Sequence, residues 1–414
     1  MKLAEEASGQ RSIIVVSVVT AISLLGDSML YVVLPIYWSQ AGLTALWEVG
    51  IVLSVNRLVR LPLNPLIGWM YNRMSLRAGL LAATGLGACS TLGYGLFDGF
   101  AIWLLLRAVW GIAWSLLRMG GLLTAIGYSS DANRGHALGQ LNGISRMGSL
   151  VGMLGGGILV SLIGLKAMSL VFGALTLIGF AVILLLPNGK KAAVAPAKWT
   201  FGEWAALMRT PAVVLVLAGG LAISLLLAVL NATLSLVVEA NYGQEVDLFG
   251  ILLGGAALSG GLLAARYASD FLLSSWFGRR SDWASGRFPL LVAALTVSGI
   301  GYALLPWRIP LPVWAIVVVL VMIAGTALVT VMDAVAADVA QSSVMIAVMT
   351  AYSVAADLGS ALGPMLSLWA IESAGSPSAV YVCSAAMFLA IAWWFGRRRE
   401  TFHKGKEERP WGRP

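Results

Sequence analysis

The stretch GWMYNRMSLR, Gly68–Arg77, returns 210 residues further on as GRRSDWASGR, Gly278–Arg287. Both read Gly-x3-(Asn/Asp)-x2-Ser-x-Arg. Two more echoes keep the same order: Gly148-x3-Gly152 recurs as Gly359-x3-Gly363, and AISLLG from Ala21 recurs as AISLLL from Ala222. Three matches at close to half the length of a 414-residue chain mark an internal duplication.

Each copy is too apolar for water. The chain is 59% hydrophobic and 11% charged, where a soluble domain carries about 25% charged residues. A soluble enzyme, a disordered chain and a collagen are thereby excluded. Twelve apolar runs reach the length that spans a bilayer: 12–38, 47–71, 78–97, 100–127, 136–162, 166–186, 212–238, 247–276, 288–306, 312–336, 342–371 and 376–396. No ten-residue block alternates with period 2, so a barrel and its strands are not expected. Asp27 and the absence of a small-residue cleavage site make the first run a retained helix and not a signal peptide. The expected architecture is an all-α membrane protein with twelve transmembrane helices, in two pseudo-symmetric six-helix bundles around a central cavity. Its divisions are an N-terminal bundle (1–186), a linker (187–211), a C-terminal bundle (212–396) and a basic tail (397–414). Within the linker, Trp199–Met208 reads equally as an interfacial amphipathic helix or as plain connection.

The net charge of +8 is explained by position. If both termini are cytoplasmic, that side holds 19 of the 27 basic residues, and the opposite side holds only Lys166 and Arg308. This is the positive-inside asymmetry, and it sets both termini in the cytoplasm. No nucleic-acid partner is needed, since the basic groove with interleaved aromatics is missing. Cys89 and Cys383 sit far apart in apolar runs, and His136 and His403 are the only histidines. No disulfide framework, metal site or cofactor is expected.

The duplicated loops also carry a family resemblance. Gly68–Arg77 resembles the signature loop between the second and third helices of the major facilitator superfamily, Gly-x-x-x-Asp-Arg-x-Gly-Arg-Lys. Gly68, Arg73 and Arg77 match, Asn72 stands for the acid and Ser75 for the second glycine. The second copy, Gly278 to Arg287, keeps the acid as Asp282. Arg107-x3-Gly111 resembles the membrane-embedded arginine motif of the fourth helix. The stretch from Ser130 through Gly148, Gly152 and Gly156 resembles the drug:proton antiporter branch, with Met153 where that branch has proline; the C-terminal copy has Gly363-Pro364. The resemblance implies the superfamily fold, alternating access and a gating role for these loop and glycine residues. On physical grounds, glycines at i, i+4 and i+8 let two helix backbones approach closely, as static packing or as a hinge.

Charges inside spans cost about 2.5–3.5 kcal/mol each by insertion scales and therefore face a cavity or a partner. The first half carries Asp27, Arg57, Arg60, Arg107, Arg118 and Arg146; the second carries Arg266, Asp270, Asp333 and Asp357. The first half is basic and the second acidic. Arg266 and Asp270, four apart, are expected to pair on their own helix. The repeat relates Arg60 to Asp270 and Arg146 to Asp357. Asp27, Asp270, Asp333 and Asp357 are the candidates for a proton-coupling carboxylate, Asp27 foremost. Arg57, Arg60, Asn64, Arg107, Arg118 and Arg146 are candidates for solute binding. Tyr31, Trp114 and Tyr352 are the aromatic candidates.

The expected function is a secondary active transporter that moves a small organic solute, anionic or amphipathic, by proton-coupled export. Symport or anion-exchange uptake of an organic anion is the alternative, and a transport-dead receptor a third. No Gly-x4-Gly-Lys-(Ser/Thr) loop, HExxH or GxSxG occurs, so nucleotide drive and an enzyme are not expected. The partners are the solute, protons and the lipid bilayer; the state is a monomer, and the site a bacterial plasma (inner) membrane.

Overall fold

The computed structural model describes residues 2–129, 134–186, 210–243, 245–248, 251–281, 287–339 and 345–397. Residues 187–209 of the linker, with the Trp199–Met208 stretch, the tail beyond Arg397 and Asp282 lie outside them.

Helices α1 (Lys2–Tyr37), α2 (Leu46–Tyr71), α3 (Leu76–Leu96) and α4 (Phe100–Gly127) are followed by a long helical stretch, Arg134–Leu184. Gly164, at φ 83°, breaks that stretch into α5 and α6. An L-residue with a side chain rarely adopts that φ, so glycine sets the corner between two spans. The second half repeats the plan with α7 (Pro211–Tyr242), α8 (Gly255–Ser281), α9 (Arg287–Leu304), α10 (Leu311–Val339), α11 (Met345–Ala374) and α12 (Ser378–Arg397). Ser75 caps α3 by accepting from the Ala78 amide at 3.2 Å, and Pro211 opens α7 where a missing N–H costs nothing.

Among the described residues, eight helical stretches are long and apolar enough to cross a membrane. Helices α2, α3 and α8 fall outside that criterion. α2 and α8 carry Arg57, Arg60, Arg266 and Asp270, while α3 is rich in glycine. Leu105, Leu162, Leu185 and Leu272 stand exposed on the outer surface. In water such a belt would invite aggregation; against lipid tails it has no solvation penalty.

One expectation is corrected. The apolar run from 247 predicts the start of a helix, but Glu245–Leu248 and Ile251–Gly254 pair as a short antiparallel hairpin before α8. Its composition, Val, Leu and Ile, suits a strand as well as a helix, and a short apolar run cannot be assigned by periodicity.

The glycine repeats explain the bundle packing. A Cβ at Gly148 or Gly152 of α5 would run into the backbone of α1 at Ala21 and Leu25. At Gly359 and Gly363 of α11 it would run into α7 at Leu221 and Leu225. The duplicated AISLL segments are the surfaces on which the duplicated glycines rest. Gly156 continues the seam against Met29.

The two bundles meet at the end away from the chain termini. There Glu372 of α11 accepts from the Trp47 amide of α2 at 2.8 Å, and Ser54 donates to the Ala361 carbonyl. A Cβ at Gly50 would come within 2.8 Å of the Pro364 carbonyl. On the other side, Gly157 of α5 faces Ala256 and Gly260 of α8, where an added Cβ would lie 2.5 Å from the Ala256 carbonyl. Small residues thus seal this end by direct backbone approach.

Candidate functional site

Between the bundles, from mid-height toward the end of the chain termini, lies a cavity of about 730 Å³. Asp27, Arg57, Arg60, Arg118 and Arg146 line it from the first half, and Asp333 and Asp357 from the second. Asn64, Tyr31, Trp114 and Tyr352 also line it. Arg107 and Asp270 adjoin it through their ion-pair partners.

Asp27 accepts a charge-assisted hydrogen bond from Arg107 Nη1, and Asn56 Nδ2 lies 3.5 Å from the same oxygen. Arg107 is completely buried, and its Nε donates to the Val52 carbonyl at 3.1 Å. Gly111, one turn on, admits α2: a Cβ there would overlap Asn56. The arginine motif and its glycine therefore press α4 onto α2 and carry the guanidinium to Asp27. Arg107 Nη2 and Asn56 Oδ1 remain without a protein partner.

Two further ion pairs cross the interface. Arg60 Nη2 meets Asp357 Oδ1 at 2.9 Å, and Arg146 Nη1 lies 3.7 Å from Asp270 Oδ2. Asp270 also accepts from the Thr326 hydroxyl. This corrects the expected Arg266–Asp270 pair, for Arg266 donates instead to Asn231 Oδ1 on α7 at 2.7 Å. The acid is drawn across the interface by an arginine on the other bundle, and an amide satisfies the guanidinium left behind. Arg57 stacks over the Tyr31 ring, 5.7 Å from its centroid. Arg118 stands exposed in the cavity. Asp333 accepts from Tyr352 Oη at 2.8 Å.

The signature loop makes these contacts within the first half. Arg73 stacks on Trp69 at 4.0 Å, Arg77 donates to the Leu184 carbonyl, and Asn72 forms the C-cap of α2. Gly68 has room, its nearest would-be Cβ neighbour being 4.0 Å away at Met119. In the second copy, Arg287 pairs with Asp338 at 3.1 Å and donates to the Ala334 carbonyl, and Gly278 faces Thr330. Tyr267 and Asn142 also line the cavity and were not anticipated. Asn142 was detectable as the i−4 neighbour of Arg146; nothing in the sequence marked Tyr267.

A profile described as Major Facilitator Superfamily matches residues 16–284 and 262–413. The chain belongs to the major facilitator superfamily. Solved transporter structures share its fold: the nucleoside transporter NupG at 14% identity and TM-score 0.73, over 93% of this chain and 98% of that one; and a bacterial homolog of the human lysosomal transporter Spinster at 15% identity and TM-score 0.73, over 94% and 96%. The latter structure is described as inward-facing and unoccupied. In sequence, the synaptic vesicular amine transporter of Mus musculus is 31% identical over 140 residues, 34% of this chain and 27% of the relative. The vesicular acetylcholine transporter of Mus musculus is 29% identical over 144 residues, again 34% and 27%. These matches span about a quarter of the relatives' length.

Proposed function

We propose that this superfamily member is a secondary transporter that exports a small organic solute in exchange for protons, with Asp27 as the coupling carboxylate. The supporting observation is the Asp27–Arg107 pair on the wall of a cavity closed at one end. A carboxylate held against a guanidinium in one state and turned away from it in another takes up and releases a proton between them. With the termini cytoplasmic, the cavity faces the cytoplasm, where an exporter loads. The charge asymmetry supports that orientation. Reporter tags at Lys191 and the C-terminus should read cytoplasmic, and one beside Lys166 external.

Arg57 and Arg118 favour a solute with an anionic group, which a planar guanidinium grips with two donors. A cationic amine is the second reading, favoured by the match to the vesicular amine transporters. The deciding experiment is counterflow in proteoliposomes under an imposed pH gradient. Accumulation in the lumen driven by an outward proton gradient, acid inside, supports exchange; accumulation driven by an inward proton gradient makes the protein a symporter; indifference to the gradient removes the proton from the mechanism.

A further inference from the structure

Most charges around the cavity are matched. Asp27 is held by Arg107, Asp357 by Arg60, and Asp270 by Arg146. Three side chains on the cavity wall have no such partner. Among the described residues, no carboxylate lies within 4 Å of Arg57 or Arg118, and no cation lies within 4 Å of Asp333. They sit on opposite walls: the arginines on α2 and α4 of the first bundle, the aspartate on α10 of the second. Two of the three are already oriented. The Tyr31 ring lies beneath the Arg57 guanidinium, and Tyr352 Oη binds one oxygen of Asp333 while the other has no hydrogen bond. Trp110, Trp114 and Tyr267 supply apolar and aromatic surface to the same space.

We infer that the solute is amphoteric: one anionic group, a carboxylate or phosphate, meets Arg57 or Arg118, and one ammonium on the same molecule meets Asp333. This rests on the transport reading and names its substrate class. The argument is one of residual charge. Opposite charges on facing walls complement a ligand that carries both poles better than one that carries either. A purely anionic solute would leave Asp333 unpaired, and a simple amine would leave the arginines. A cavity of about 730 Å³ lies in the range that encloses a drug-sized molecule, so both poles can be bridged by one aromatic or aliphatic body. The excess charge on each wall also gives the ligand a direction, anion toward the first bundle and ammonium toward the second.

The test uses two matched triads on the purified full chain. Phenylalanine, its methyl ester and its N-acetyl derivative form one; 4-(aminomethyl)benzoate and the same two derivatives form the other. Binding is read by calorimetry and by thermal stabilisation. In at least one triad the zwitterion is expected to bind tenfold or more tighter than either singly charged form. Asp333→Asn should weaken the zwitterion and methyl ester about tenfold and leave the N-acetyl form unchanged. The double variant Arg57→Gln/Arg118→Gln should do the reverse. Asp333→Glu, which keeps the charge, should retain the preference and so controls for loss of fold. Equal binding of a singly charged form, uniform weakening of all three forms by Asp333→Asn, or no binding in either triad would overturn the inference. Counterflow of the same probes separates it from the transport reading. Exchange of singly charged probes alone leaves a transporter with the wrong substrate class assigned, whereas a zwitterion that binds without exchanging leaves the class standing and removes transport.

Discussion

Arg60 on α2 and Asp357 on α11 join the two bundles at 2.9 Å, and the repeat carries this pair onto Asp270 and Arg146 with the signs exchanged. The same helix contact is thus made twice, once with the cation on the first bundle's α2 and once with it on the first bundle's α5. The copies differ in exposure: the Arg60 side chain is 11% exposed and that of Arg146 is 48% exposed.

That difference sets the first expectation. Arg60→Gln should lower stability by about 1.5–3 kcal/mol, the range for a hydrogen bond to a charged group. Arg146→Gln should lower it by less than about 1 kcal/mol, as for a solvent-screened pair. Thermal unfolding in detergent would compare them. Equal losses would mean that the exposed pair is not screened.

Asp27 and Arg107 call for a double substitution. Asp27→Asn alone leaves a fully buried guanidinium without its counter-ion, a loss of about 3–5 kcal/mol. Asp27→Asn with Arg107→Gln removes both charges and should recover most of that stability while still failing to drive uphill transport. Flux by the double variant in proteoliposomes, measured beside its unfolding curve, is the check. Gradient-driven accumulation would move the coupling role to Asp270, Asp333 or Asp357.

The α5 glycines give a matched pair of positions. Gly148→Ala places a methyl against the Ala21 backbone, which cannot rotate away, so a loss of about 1–3 kcal/mol or more is expected. Gly155, on the same helix, has nothing within 4 Å of its would-be Cβ. Gly155→Ala should therefore be neutral or gain up to about 1 kcal/mol from helix propensity. Similar losses at both sites would argue against close α1–α5 packing.

Glycines at the sealed end separate packing from gating. Gly157→Val and Gly50→Val insert side chains where α5 meets α8 and α2 meets α11. Both should push the sealed end apart and populate the opposite state. Spin labels at Thr44 and Ser373, in a background lacking the exposed Cys89 and Cys383, should report a longer interbundle distance. An unchanged distance with lowered stability would mean that these glycines pack a fixed contact.

The sequence was informative wherever the cause was periodic or local. The duplicated loops, the apolar runs and the Arg107-x3-Gly111 motif each depend on spacing along one helix or on the recurrence of one loop. Partner choice across the interface was not legible in the same way. The pairing of Arg60 with Asp357 depends on the relative height of α2 and α11, which no spacing within either helix records. For the same reason the i+4 spacing assigned Arg266 to Asp270, while the structure gives it Asn231. Glu372 and Tyr267 lack any pattern of their own and are recognisable only by what faces them.

The exchanged signs also determine what either half could do alone. In a dimer of two first halves, the repeat geometry would set Arg60 against Arg146 at both contacts; in a dimer of two second halves, Asp270 would face Asp357 twice. Each self-association buries like charges, and only the mixed pairing neutralises them. Two fragments made separately would consequently select one another over their own kind. The charge inversion makes the duplicated chain an obligate heterodimer written as one polypeptide.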